Sequence, residues 1–131
     1  MKRSERGSTL VESSLVAVVF LLLLTGVVEF SRLGFAYNDV TFAAQAAARF
    51  AAVRGSSSGH PASAADVQAA AKVYTNALDN SKVTVDTRWS PDNNPGGTVQ
   101  VTVTYRFPTL LSALAPDSLT IQTTSASIVS Q

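Results

Sequence analysis

Residues 15–28 read LVAVVFLLLLTGVV, and residues 42–53 read FAAQAAARFAAV. How these two runs join decides the fold. Between Glu12 and Glu29 lie sixteen residues without charge, slightly under the roughly 20 needed to cross about 30 Å of hydrocarbon. Lys2, Arg3 and Arg6 precede the run. Basic flanks stay cytoplasmic, so the N-terminus is expected inside and the rest of the chain on the far side of the membrane. A buried core helix is the soluble alternative. A cleavable secretory signal would need a small-residue site directly after its apolar core. The exit instead reads EFSRLGFAYND, Glu29 to Asp39, with Glu29 and Arg32 where that site belongs. The apolar segment is therefore expected to remain attached to the exported part of the chain.

From Ser8 to Val53 only Gly26 and Gly34 weaken a helix, and the alanine run is strongly helix-forming. One long helix is expected, roughly 65–70 Å from Thr9 to Val53 at about 1.5 Å per residue. On its outer half Phe35, Phe42, Ala46, Phe50 and Val53 share one face. Phe30, Tyr37, Ala44 and Ala48 fall nearly opposite, which implies two packing partners. The alanines from Ala43 to Ala52 have two open readings: close helix–helix approach in a bundle, or helix propensity alone.

GSSSGHPAS, Gly55 to Ser63, ends that helix. A second helix is expected over 63–80, capped by Ser63 with Asp66 three residues on, and with Val67, Ala71, Tyr74 and Leu78 as its stripe. The period then changes to two. KVTVDTRW puts Val83, Val85 and Trp89 on one face, and TVQVTVTYRF alternates from Thr98 to Phe107. SPDNNPGG between them is a hairpin loop. A last strand from Leu119 to about Val129 starts with Leu119 and Ile121 on one face and ends with Ala126 and Ile128 on the other, so a bulge near Thr123 to Ser125 is expected. Leu110, Leu111 and Leu114, between Pro108 and Pro116, are expected to form a short helical turn over the sheet edge.

The expected class is α+β: a long N-terminal helix, a second helix, and a three-stranded antiparallel sheet packed on the long helix. The segments are a leader (1–7), a transmembrane segment (8–28) and an exported domain (29–131), the last made of 29–54, 63–80 and 82–129. From Ser56 to the end there are 76 residues, a size at which one core without disulfides or metal supplies no more than about 3–5 kcal/mol. The face bearing Phe35, Phe42 and Phe50 is the expected packing surface that completes it.

Ten basic and nine acidic residues leave a net charge of +1, with no concentrated basic patch for nucleic acid. There is no cysteine to serve as nucleophile, thiolate ligand or disulfide. The single histidine, His60, lies in a Gly/Ser loop that holds no base in place, so no catalytic residue, cofactor or small-molecule substrate is expected. Asp92, Asn93 and Asn94 are oxygen-rich, yet their spacing matches no EF-hand, and the following Pro-Gly-Gly reads as turn chemistry; no metal is expected.

RGSTLVESS, Arg6 to Ser14, sets a glycine and, five residues later, a carboxylate at the lip of the apolar run. Burying a charge mid-membrane costs roughly 2.5–3.5 kcal/mol on insertion scales, and an opposite charge offsets it. A carboxylate near a helix start also favours the macrodipole, which would make Glu12 a plain start signal.

The opening stretch resembles the processing site of type IV pilins and pseudopilins. RGSTLVESSLVAVVFLLLLTGVVEFSRLGFAYND followed by AAQAAARFAAVRG is similar to TadE-like proteins of the tight-adherence (Flp) type IV pilus system. The resemblance implies a short basic leader ending at Gly7, prepilin peptidase cleavage between Gly7 and Ser8, and Glu12 as the fifth residue of the mature chain. Glu12 would then be the subunit-assembly carboxylate, neutralised by the new Ser8 ammonium of a neighbouring subunit. Flp-type sites often carry an aromatic after that glutamate, and Ser13 stands there instead. The implied function is that of a minor pseudopilin in pilus assembly and surface adherence, in the bacterial inner membrane. Its implied partners are the prepilin peptidase, other pseudopilins, the major pilin and the inner-membrane assembly platform. The competing reading is an uncleaved single-pass anchor displaying a binding or sensor domain.

Overall fold

The alternation over residues 98–107 becomes the middle strand of a sheet. In the computed structural model, which describes residues 2–110 and 118–131, the elements are α1 (Lys2–Ala52), α2 (Ala64–Val73), a 3₁₀ turn (Asn80–Lys82), β1 (Val83–Ser90), β2 (Thr98–Pro108) and β3 (Ser118–Ile128). The sheet order is β1-β2-β3, antiparallel throughout. The architecture is therefore α+β: a long N-terminal helix, a second helix and a three-stranded antiparallel sheet. The chain divides into two units, Met1–Leu33 and Gly34–Gln131.

In the second unit Val99, Val101, Val103, Tyr105 and Phe107 of β2 are buried, as the period of two requires. The α1 face in this unit that is buried with them consists of Ala36, Val40, Ala43, Ala44, Ala47, Ala48, Ala51 and Ala52. Thr41 Oγ1 lies 3.3 Å from Thr123 Oγ1 of β3, and the Ser130 N–H donates to the Ala52 carbonyl at 2.9 Å, so helix and strand run in the same sense.

This corrects the expected packing face. Phe35 is 73% exposed, Phe42 57% exposed, and Phe50 half-buried beneath the Arg54 guanidinium, 4.3 Å from its ring centroid. Alanine wins because a sheet admits a helix most closely where side chains are short. Interiors reward fill without voids, and short side chains let the helix backbone come close to the buried valine row of β2. The alanine run is thus the core of its own domain, an answer different from both bundling and mere propensity.

β3 carries a second correction. Its pairing with β2 runs unbroken from Thr98↔Ile128 to Pro108↔Ser118, so no bulge occurs at Thr123–Ser125. The inward positions of the later half are Thr123, Ser125 and Ser127, small enough to face the alanine helix, while Ile128 stays outside and 68% exposed. A bulge exists elsewhere. Asn94–Gly97 closes a turn through Gly97 N–H to Asn94 C=O at 2.9 Å, with Pro95 second and Gly96 at φ 89° third, the signature of a type II turn. Gly96 N–H then donates to the Val129 carbonyl, and Val129 N–H to the Gly97 carbonyl. This is a glycine bulge opposite Val129, past the end of β3.

Helix α2 begins as expected, with Ser63 Oγ accepting from Asp66 N–H and Asp66 Oδ2 accepting from Ser63 N–H and Oγ–H. It stops at Val73, short of residue 80. Its buried stripe is Val67 and Ala71, followed by Thr75, whose hydroxyl donates to Asn80 Oδ1 at 2.8 Å; Tyr74 is exposed. The expected turn at Leu110, Leu111 and Leu114 falls largely outside the described residues.

Candidate functional site

From Leu10 to Val28 the first unit is a helix apolar on every side, and the chain buries none of these residues. Leu10, Leu15, Val18, Phe20, Leu23 and Val27 are all exposed. Such a surface far exceeds what a water-soluble chain leaves bare. Two hydroxyls in it bond back into the helix: Ser14 Oγ donates to the Leu10 carbonyl at 2.7 Å and Thr25 Oγ1 to the Leu21 carbonyl at 2.8 Å. Back-bonding of this kind is what a polar atom needs in hydrocarbon. Among the described residues one helix is long and apolar enough to cross a membrane.

Gly7, Ser8 and Glu12 are exposed on α1. Ser8 and Glu12 stand four residues apart, one helical turn. Glu12 shares a shallow strip with Thr9, Ser13, Val16, Ala17 and Phe20. A Cβ built on Gly7 would meet nothing within 4 Å. The fold therefore gives no steric reason for glycine there, although glycine inside a helix costs about 1 kcal/mol against alanine. Gly55 is the opposite case. A Cβ there would collide with the Gln131 carbonyl oxygen and Val129 Cγ1, and would stand 3.0 Å from the Asn93 carbonyl oxygen. Gly55 is where the end of α1, the β1–β2 loop and the C-terminal residues meet, held by Ser56 N–H to Asn93 C=O at 2.8 Å and Ser56 Oγ to Asn94 Oδ1 at 2.6 Å.

Residues 7–49 match the TadE-like protein family. The matched segment takes in the Gly7–Glu12 motif, the apolar stretch and most of the alanine face. The match covers 43 of the 131 residues, about a third of the chain, and shows a likeness to that family over this segment. No curated protein and no solved structure matches the chain.

The acid–amide loop is turn chemistry: Asp92 Oδ1 accepts from Asn94 N–H and Asp92 Oδ2 from Asn94 Nδ2. His60 is exposed beside Arg54, Ser58 and Gln131. Two features are not legible in the sequence. One is the Gly55 meeting point, which joins residues far apart in the chain. The other is a groove on the exposed side of α1, lined by Phe42, Ala46, Phe50, Val53 and Tyr74, in which the Phe42 and Tyr74 rings meet edge to face at 5.1 Å and 81°. The residues expected to form one packing face are thus divided: Phe42 and Phe50 line this groove, and Phe35 does not.

Proposed function

We propose that this TadE-like chain is a minor pseudopilin-like structural component of Tad/Flp pilus biogenesis. It is processed between Gly7 and Ser8 by a prepilin peptidase and anchored in the bacterial inner membrane with its N-terminus cytoplasmic and its sheet domain exported. Other pseudopilins, the major pilin and the inner-membrane platform are its partners in pilus assembly and surface adherence. The observation that carries this reading is the Gly7–Glu12 spacing at the start of the apolar run, inside the segment that matches the family, which would put a new N-terminus at Ser8 one turn from Glu12; like Gly26 and Gly34, Gly7 has no neighbour that requires a glycine.

Cleavage at Gly7 creates an ammonium on Ser8. When anchors pack, that amine and the Glu12 carboxylate of a neighbour neutralise each other, so each subunit adds to the assembly without leaving a lone charge. The test is the intact mass of the chain from its native membranes, with and without the prepilin peptidase. The expected result is loss of Met1–Gly7 only where the peptidase is present; a full-length mass in both strains returns the chain to the uncleaved-anchor reading. Glu12→Ala is expected to leave membrane insertion intact and to lower piliation at least tenfold, counted by electron microscopy.

A further inference from the structure

The uncharged run Ser13–Val28 spans only about 24 Å as a helix, some 6 Å less than the hydrocarbon. The bilayer must therefore take in charge at one end or the other. Extending inward to Thr9 adds the length needed and takes Glu12 into the hydrocarbon. Extending outward to Leu33 gives about 31 Å and takes in Glu29 and Arg32.

The side chains decide between these. Among the described residues nothing pairs with the Glu12 carboxylate. Arg32 Nη1, by contrast, donates to Glu29 Oε2 at 2.7 Å along one helix face, a hydrogen-bonded ion pair with no net charge. Ser31 Oγ donates to the Val27 carbonyl at 2.8 Å, the same back-bonding that Ser14 and Thr25 use within the run. So every polar side chain from Glu29 to Leu33 has a partner on the helix itself, as hydrocarbon demands. Phe30, between the paired charges, is 77% exposed to whatever surrounds the helix. Tyr37, 54% exposed, stands one turn beyond Leu33, where an aromatic ring sits at headgroup level. The first buried residue of the folded domain, Ala36, comes directly after this boundary.

Resting on the membrane reading above, we propose that the bilayer occupies Ser13–Leu33, with the Glu29–Arg32 pair inside it as a neutral unit and Glu12 at the cytoplasmic headgroups. A short anchor is thereby lengthened by an ion pair. The assembly carboxylate stays out of the hydrocarbon until a neighbour's amine reaches it.

The chain has no cysteine, so single-cysteine variants report cleanly. Full-length Val28→Cys, Phe30→Cys, Ser31→Cys and Tyr37→Cys chains, with Phe20→Cys as the depth control, are reconstituted at high lipid-to-protein ratio. The vesicles are phosphatidylethanolamine and phosphatidylglycerol, and the probe is a membrane-impermeant maleimide. Tyr37→Cys serves as the reference for chains facing outward. The expected result is that positions 28, 30 and 31 react at least tenfold more slowly than position 37 until detergent is added. Only lipid can shield them, because the chain leaves 30 and 31 exposed. Fast reaction at 30 and 31 with 20 and 28 protected overturns this inference and leaves the anchor standing. Fast reaction at Phe20→Cys as well overturns the anchor itself. Adding Arg32→Ala to Phe30→Cys is expected to raise its labelling rate at least tenfold, and Arg32→Lys to keep it protected; an unchanged rate in Arg32→Ala removes the ion pair from the account.

Discussion

The two halves of α1 are continuous in the chain and opposite in logic. From Leu10 to Val28 large side chains cover every side and none is buried by the chain. From Ala36 to Ala52 the buried face is almost entirely alanine, while phenylalanines point away from the core. Hydrophobicity alone would rank the first half as the better core. Burial tracks fit instead: lipid accepts large side chains of any shape, whereas a valine-faced sheet accepts a helix only as close as its side chains allow.

The strongest way to break that contrast is to exchange what each half tolerates at glycine. Gly55→Ala is expected to destabilise the sheet domain by about 3 kcal/mol, at the upper end of ordinary overpacking, because backbone and Val129 must both move. Thermal unfolding in detergent, monitored by the near-ultraviolet signal of Trp89, measures it. Gly7→Ala should leave that transition unmoved. A loss below about 0.5 kcal/mol at Gly55 would mean that the meeting point yields easily.

Next is the alanine face. Ala47→Leu is expected to cost about 2 kcal/mol by forcing helix and sheet apart, while Leu23→Ala, in the anchor, leaves the same transition unchanged. Equal effects at both sites would erase the distinction between the halves.

A smaller effect belongs to the second helix. Ser63→Ala is expected to remove about 1 kcal/mol of capping. Its acid dependence identifies the source, since hydrogen bonds from the Ser63 side chain and backbone hold the Asp66 carboxyl below its ordinary pKa. A carboxyl with a lowered folded pKa stabilises above its unfolded pKa and loses that contribution as pH falls through the folded value. The gap between wild type and Ser63→Ala should therefore be full at neutral pH and shrink in acid below the ordinary carboxylate range. A gap independent of pH would detach Asp66 from the cap.

The smallest effect sharpens the comparison most. Phe42→Ala is expected to cost only about 0.5 kcal/mol, the loss of an edge-to-face contact with Tyr74 on an exposed surface. A cost near 3 kcal/mol, the low end for truncating a core phenylalanine, would restore the phenylalanines as core.

Much of this architecture is legible because period and turn chemistry are local. The alternation of Val99 to Phe107, the Ser63–Asp66 cap and the unbroken helical run each announce themselves within a few residues. The departures share one cause. Turning Phe35, Phe42 and Phe50 inward, and bending β3 with a bulge to bring Ile128 inward, both assume that larger apolar side chains go to the core. Thr123, Ser125 and Ser127 opposite the alanines show that the helix–sheet interface selects for smallness, a property of two surfaces that neither strand nor helix carries alone. At the candidate site, the Gly7–Glu12 spacing is readable directly. The steric need for glycine at Gly55 is not, because its neighbours Gln131, Val129 and Asn93 come together only on folding.

The co-directional course of α1 and β3 has a mechanical consequence. Thr41 meets Thr123 near the entry of the helix into the domain, and Ala52 accepts from Ser130 at its far end. A force along this stretch of helix therefore loads it against the strand over their shared length, as shear across the alanine interface, and not as a peel that opens one contact at a time.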